Sequence, residues 1–447
     1  MLLPLPRPAL FAIIVVAVIG ARVPFVANTL VGEEGCFAFL VANPVPSGRL
    51  TEDGWPRCLI GSIDGQPIFA SFEKPIVPYL LIEGGTGAIT RPLDILALAE
   101  PARTIAARLP FLVLFLIGVA GLAWSASRSL LASGVTAYAL TTPLAVGASL
   151  QPQLDGSVGV LLTGVAGSVL VASSRPAAFA VAGFLVGLGR VEWALAFGTA
   201  AVAALAFNVR LALALLAGVA AGAAASFAIS PADYSAAFEV MQRVGGTAEP
   251  LALAWRDRIY VAPVLALLVP CGLLTLARRR LVATHPGIAI VILAAAAMFS
   301  GFLLGAWPGD GFPRYYAPAL VLAACALTAL LDGWPDRWRA GAAATLIALG
   351  LVANAAHLVP AYRKGRTITS GPGISLAAIE RDYAAAAARA AEAREIALQY
   401  PAFWFYYPRL DFLPRDLGVA GALSLLRERH PAAADRLPQQ GGGATPP

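Results

Sequence analysis

The sequence predicts an all-α polytopic membrane protein with about eleven transmembrane helices, within a range of about ten to thirteen. Three observations predict it. Hydrophobic residues make up 58% of the 447 and charged residues only 13%, against about 25% charged in ordinary soluble domains. Mean hydropathy is +0.74. Apolar runs rich in Ala, Leu, Val and Gly follow one another with arginines between them, which is the pattern of spans joined by orienting loops. The net charge of +6 therefore belongs to loops, and no basic run interleaved with aromatics suggests a nucleic-acid partner.

Taken in order, the N-terminus resembles a signal peptide, with Arg7 before an apolar run from Ala9 to Gly20. Apolar character resumes after Arg22 and no small-residue cleavage site closes the run, so residues 9–29 are expected to be an uncleaved first helix. A polar, Gly- and Pro-rich stretch at 30–106 reads as a first outer loop. Apolar segments follow at 108–126, 130–149, 157–173, 176–189, 193–208, 211–229, 260–277, 286–305, 315–331 and 340–358. The segments flanking Arg190 and Glu192 are short, either two tight helices or one re-entrant feature. The transmembrane domain thus runs over 1–360. A small segment at 361–438 follows, with a helical Ala-rich stretch (Ile379 to Leu398) and the aromatic cluster Phe403 to Tyr407. It is either an amphipathic interfacial helix or a small packed subdomain. The Gly/Pro/Gln-rich end, 439–447, is expected to be disordered.

Arg7, Arg128, Arg175, Arg210, Arg278–Arg280, Arg337 and Arg339 occupy alternate connections. The positive-inside bias makes that side cytoplasmic, with the N-terminus. The first long loop and the C-terminus are then outside, in the periplasm of a bacterial inner membrane. Arg190, Arg243, Arg256, Arg258 and Arg314 oppose the bias and are candidates for anion binding. Of four cysteines, Cys271 and Cys325 lie in apolar runs, whereas Cys36 and Cys58 share the outer loop. In an oxidising compartment those two can pair; otherwise they are separate thiols.

Four groups of residues carry candidate chemistry. Gly32-Glu33-Glu34-Gly35 sets two carboxylates at the membrane boundary after the first helix. Partial desolvation there disfavours the charged form and suits a proton acceptor; the alternative is a solvated pair opening a helix. Asp64-Gly65, then Phe72-Glu73-Lys74-Pro75-Ile76, hold an acid and an ammonium between aromatics and prolines. That ammonium suits a lipid-linked phosphate, or else forms a plain surface ion pair. Asp155 opens the fourth span, and Phe312-Pro313-Arg314-Tyr315-Tyr316-Ala317-Pro318 opens a late one. All fall on the outer side of a topology drawn from other residues.

In order and spacing, these groups resemble the motifs of the GT-C superfamily of polyprenyl-phosphate-sugar-dependent glycosyltransferases. The likeness is to the branch with the aminoarabinose–lipid A transferase and the protein O-mannosyltransferases. It spans roughly residues 9–358 and includes the Gly-Leu-Gly-Arg ending at Arg190. It implies a GT-C-like bundle with interfacial helices in the first outer loop, transferring a sugar from a polyprenyl phosphate to an acceptor hydroxyl. By that resemblance Glu33 is the catalytic base, and Lys74, Arg314 and Tyr315 bind the donor phosphate. Glu73, Asp155 and Arg190 take substrate-binding roles. The family's base is usually Asp, so Glu34 is a second candidate. No His lies at 230–258, the three being His285, His357 and His430; a zinc site of the aminoarabinose branch's design is not expected. No cofactor is expected, and nothing supports an acid-bound divalent cation. Expected partners are the lipid-linked donor, membrane lipid and a glycan, lipid or protein acceptor. Two other classes fit the composition: a transporter or flippase, which wants charges mid-helix along a path, and a non-catalytic GT-C-like subunit.

Overall fold

A computed structural model describes residues 6–31, 34–42, 57–63, 66–71, 76–90, 93–229, 258–303, 313–332, 339–368, 375–393 and 405–406. Among the described residues, seven helical stretches are long and apolar enough to cross a membrane. They are Arg7–Phe25 (α1, Arg7–Gly20, with a following 3-10 turn), α4 (Ala102–Ala126), α7 (Leu154–Ala172), α10 (Val209–Ile229), α11 (Arg258–Ala277), α13 (Pro286–Leu303) and Arg314–Leu331. The last comprises a 3-10 turn, Pro313–Tyr316, and α14, Ala317–Leu331. An eighth span is the pair α5 (Leu130–Thr141) and α6 (Pro143–Leu150), if taken as one helix bent by 58°. Two shorter apolar helices, α8 (Pro176–Gly187) and α9 (Val191–Ala204), flank Arg190. The sequence's open alternative there resolves as two helices with a turn between. With α15 (Arg339–Arg363), these helices fall on every apolar segment expected from the sequence.

The bend between α5 and α6 has a local cause. Pro143 has no N–H and cannot continue the ladder. The Thr142 hydroxyl donates to the Ala139 carbonyl at 2.8 Å, the acceptor that a residue 143 amide would have served. Thr142 also caps α6, accepting from the Ala145 amide at 3.2 Å. Arg22, 1% exposed, fills the angle. It donates to the carbonyls of Leu140 (3.0 Å), Ala145 (3.2 Å) and Val18 (2.6 Å) and to the Ser149 hydroxyl (2.7 Å). Its guanidinium carbon lies 4.9 Å from the Phe115 ring centroid.

α7 and α14 are the most enclosed spans, 72% and 94% buried over their apolar windows. With no hydrophobic drive between helices in lipid, close packing holds them, and small residues permit it. At Gly183 in α8 an added Cβ would lie 2.3 Å from the Leu215 carbonyl oxygen of α10, so only glycine lets those helices approach so closely.

The stretch expected to form the first outer loop is not purely helical. Between α2 (Glu34–Ala42) and α3 (Ile76–Thr90) lies an antiparallel hairpin, β1 (Arg57–Ile63) and β2 (Gln66–Ser71), with Ile63 paired to Gln66 and Arg57 to Ser71. Downstream, α12 (Arg279–Thr284) is a short connector. The C-terminal helix α16 (Leu376–Ala393) buries Ile379, Tyr383 and Ala386, and exposes Glu380, Arg381 and Asp382. That three-four spacing is an amphipathic helix with one docked stripe. The other residues of the aromatic cluster and the 439–447 end lie outside the described residues.

Candidate active site

The alternation of charge seen in the sequence is physical. At one end of the bundle Arg7 donates to the Trp124 carbonyl at 2.9 Å and to Ser127 at 3.2 Å. Arg128 pairs with Asp332 at 3.6 Å. Arg278 donates at 2.6 Å to the carbonyls of Leu330 and Asp332. This basic end joins the start of α1 and α5 to the ends of α4, α11 and α14. Both charged clusters below lie at the opposite end. Arg22, after α1, reaches Ser149 at the end of α6, and α7 starts a few residues on.

The first cluster fixes the chain between α1 and α2. Arg108, fully buried in α4, donates to the carbonyls of Asn28, Val26 (3.1 Å) and Phe25 (3.5 Å). Its Nη2 donates to Glu34 Oε2 at 3.2 Å, with both side chains at 0% exposure. Glu34 stands in the first turn of α2, where the helix dipole favours a carboxylate, and Oε2 also accepts the Val31 amide at 3.1 Å. Glu33, Asp64, Gly65, Glu73 and Lys74 lie outside the described residues.

The second cluster joins three separate turns. Asp155 sits in the first turn of α7. Gly156 lets α7 start against α6, since a Cβ there would lie 1.9 Å from the Ala148 carbonyl oxygen. Arg190 precedes α9, and Glu192 is in that helix's first turn. Arg314 and Tyr315 form the 3-10 turn before α14. Arg190 Nη1 donates to Asp155 Oδ1 at 2.5 Å, its Nε to Glu192 Oε2 at 3.1 Å, and its Nη2 to Glu192 Oε1. Arg314 Nε lies 3.5 Å from Asp155 Oδ2, and its Nη2 donates to the Tyr315 hydroxyl at 3.3 Å. All five side chains are buried. The Tyr315 ring stacks on Phe302 at 5.1 Å and has the guanidinium carbons of Arg314 and Arg190 at 5.0 and 5.3 Å. Burial alone would lower the proton affinity of Arg190. The carboxylates of Asp155 and Glu192 outweigh that and raise its pKa well above the ordinary arginine value.

Thus Asp155, Arg190, Arg314 and Tyr315, which lie far apart in sequence, meet in one buried network. Glu192 completes it, a residue that the sequence marks only as lying between two short apolar segments. Arg108 was missed as well, although its place on the side opposing the positive-inside bias was a signal. Arg258 opens α11 and is exposed; Arg243 and Arg256 lie outside the described residues. An apolar groove of about 710 Å³ runs between α9 and α10. It is lined by Gly189, Val191, Leu195, Leu216 and Phe227 among others, and so begins one residue from Arg190. A second cavity of about 590 Å³ is lined by Thr29, Glu100, Arg103, Glu380, Tyr383 and Tyr406. Cys36 is disulfide-bonded, and Cys271 and Cys325 are free and buried. Cys58, whose side chain is outside the described residues, is the remaining cysteine.

No family model matches the sequence, and no curated protein does. Among solved structures, ArnT from Cupriavidus metallidurans, crystallised with undecaprenyl phosphate, superposes at a TM-score of 0.47 with 18% sequence identity. The match covers 89% of this chain and 74% of that one.

Proposed function

We propose that the protein is a membrane glycosyltransferase that moves a sugar from a polyprenyl-phosphate donor to an acceptor hydroxyl. The chemistry takes place at the bundle end opposite the basic loops, the periplasmic face of a bacterial inner membrane. One observation carries the reading: two buried arginines and Tyr315 are fixed by Asp155 and Glu192 beside an apolar groove. Fixed cations next to a lipid-accessible groove suit a phosphate on an isoprenoid chain. The arrangement also gives each arginine a role. Arg190 is bonded to two carboxylates and is the better scaffold. Arg314, whose Nη2 lies against the Tyr315 hydroxyl, is the proposed phosphate ligand, assisted by Lys74 and that hydroxyl. Glu73 remains a candidate for substrate binding.

In the reaction the acceptor oxygen attacks the anomeric carbon while the bond from that carbon to the phosphate oxygen breaks. The configuration inverts, the proton of the acceptor passes to a carboxylate, and the polyprenyl phosphate leaves. Preorganised cations in a poorly hydrated site stabilise the charge developing on the leaving phosphate. Glu34 Oε2 is already occupied by Arg108 and the Val31 amide, which favours Glu33 as the base with Glu34 as its support. A transporter would want charge along the path; in the described spans charge gathers at helix ends.

The test is sugar transfer from a polyprenyl-phosphate-linked donor by purified protein in lipid, read as released polyprenyl phosphate. Glu33→Gln is expected to lower kcat by about 10²–10⁴-fold, the usual worth of general base catalysis. Full activity in that variant and in Glu34→Gln would remove the base from the acidic pair. No donor turnover by the unaltered protein with any lipid-linked sugar would overturn the enzyme itself.

A further inference from the structure

The C-terminal segment reaches the chain just ahead of Glu34. Residues 26–31 form no helix or strand, and their backbone is held by side chains instead. On one side Arg108 takes the carbonyls of Phe25, Val26 and Asn28. On the other, the Leu30 amide donates to the Tyr406 hydroxyl at 2.8 Å, and the Tyr383 hydroxyl donates to the Leu30 carbonyl at 3.2 Å. Both backbone groups of one residue are thus held by two phenols of the C-terminal segment, 376 and 353 residues away. The next amide, Val31, goes to Glu34 itself.

The Tyr406 contact is part of a directed chain. Its hydroxyl lies 2.9 Å from Thr104 Oγ1, and Thr104 donates to Glu100 Oε2 at 2.8 Å. Thr104's proton is therefore spent on Glu100, so Tyr406 donates to Thr104 and its oxygen is left to accept from Leu30. Burial pushes the Tyr406 phenol up to about 12, so it keeps the proton this direction needs. Alongside, Thr29 donates to Glu380 Oε1 at 2.7 Å. Ring packing holds the tail by separate means: Tyr383 lies against Tyr406 at 6.1 Å, and Tyr406 is edge-on to Phe405 at 5.6 Å.

We propose that Tyr383 and Tyr406 are positioning residues that grip Leu30 by both its backbone polar groups and so set where Glu34 stands. The proposal rests on the glycosyltransferase assignment above for its kinetic consequence. Its physical basis is independent of that assignment.

The double variant Tyr383→Phe/Tyr406→Phe keeps the ring contacts and deletes both hydroxyls. It is made in the full-length chain and reconstituted in lipid. Two readouts are taken: amide hydrogen exchange over residues 29–35, and the dependence of initial rate on lipid-linked donor. Exchange is expected to accelerate by about tenfold or more, since each lost hydrogen bond is worth about that factor. The kcat is expected to fall by about tenfold with donor KM within about twofold, a split that loss of fold would not give. Unaltered exchange overturns the grip, whether or not transfer is detected. Accelerated exchange with unaltered kcat overturns the positioning role. If the unaltered protein transfers no sugar, the functional assignment fails while exchange still decides the grip.

Discussion

Arg108 and Glu34 show how a buried ion pair can organise a segment without being a large source of stability. Two charges withdrawn from water repay the cost only where further partners satisfy them, and here Arg108 spends its other Nη donor on three carbonyls of the 25–28 chain. Breaking such a pair from one side leaves an uncompensated buried charge. Arg108→Met is therefore expected to cost about 3–5 kcal/mol, measured by thermal or denaturant unfolding in lipid-like detergent. Arg108→Met/Glu34→Met should recover part of that loss, because no buried charge is then left alone. A double variant that is less stable than the single one would contradict this account. At this scale the sequence was informative about residue identity and poor about pairing. Arg190, Asp155 and Arg314 could be singled out by charge sign at helix ends. That Asp155 meets both arginines depends on which helix neighbours which, a long-range property that no local pattern carries.

The elements divide in the same way. Apolar segments were legible because each must satisfy its backbone internally within lipid, so length and hydropathy mark them. The hairpin β1–β2 was not expected, though its signal was present. Asp64-Gly65 is the two-residue linker between Ile63 and Gln66, and Asp-Gly is among the strongest short-range hairpin cues. The same two residues also belong to the motif that resembles the glycosyltransferase family, and that reading hides the turn. The α5–α6 bend likewise fell inside a single apolar segment, 130–149, where Pro143 marked the break. Thr142 serves two backbone groups there, the Ala139 carbonyl and the Ala145 amide. Thr142→Val keeps the shape and loses both bonds, and is expected to cost about 1–3 kcal/mol by equilibrium unfolding. A change within about 0.3 kcal/mol, far below the worth of one such bond, would mean the bend is held by Arg22 and packing alone.

For the whole molecule, the separation of charge by end predicts an orientation, and the orientation sets the face on which the proposed chemistry would take place. Ser173 lies at the basic end, after α7, and Asp94 at the other, before α4. Single cysteines placed there by Ser173→Cys and Asp94→Cys should respond oppositely to an impermeant maleimide on intact cells. Position 94 is expected to be labelled and position 173 protected; the reverse pattern would place the proposed chemistry on the cytoplasmic side. Because the site proposed here uses fixed cations, a strong chelator is expected to leave transfer unchanged; loss of activity that is restored by a divalent cation would show a metal to be required. The hold on Leu30 also bears on the order in which the protein is made. Its amide and the Tyr406 hydroxyl are separated by 376 residues. At about 5–20 residues per second of synthesis, the segment before Glu33 waits about 20–75 s for its partner to emerge. The spans among the described residues are all synthesised before that moment, so the chain leading into Glu34 acquires its final mounting only after they have been made.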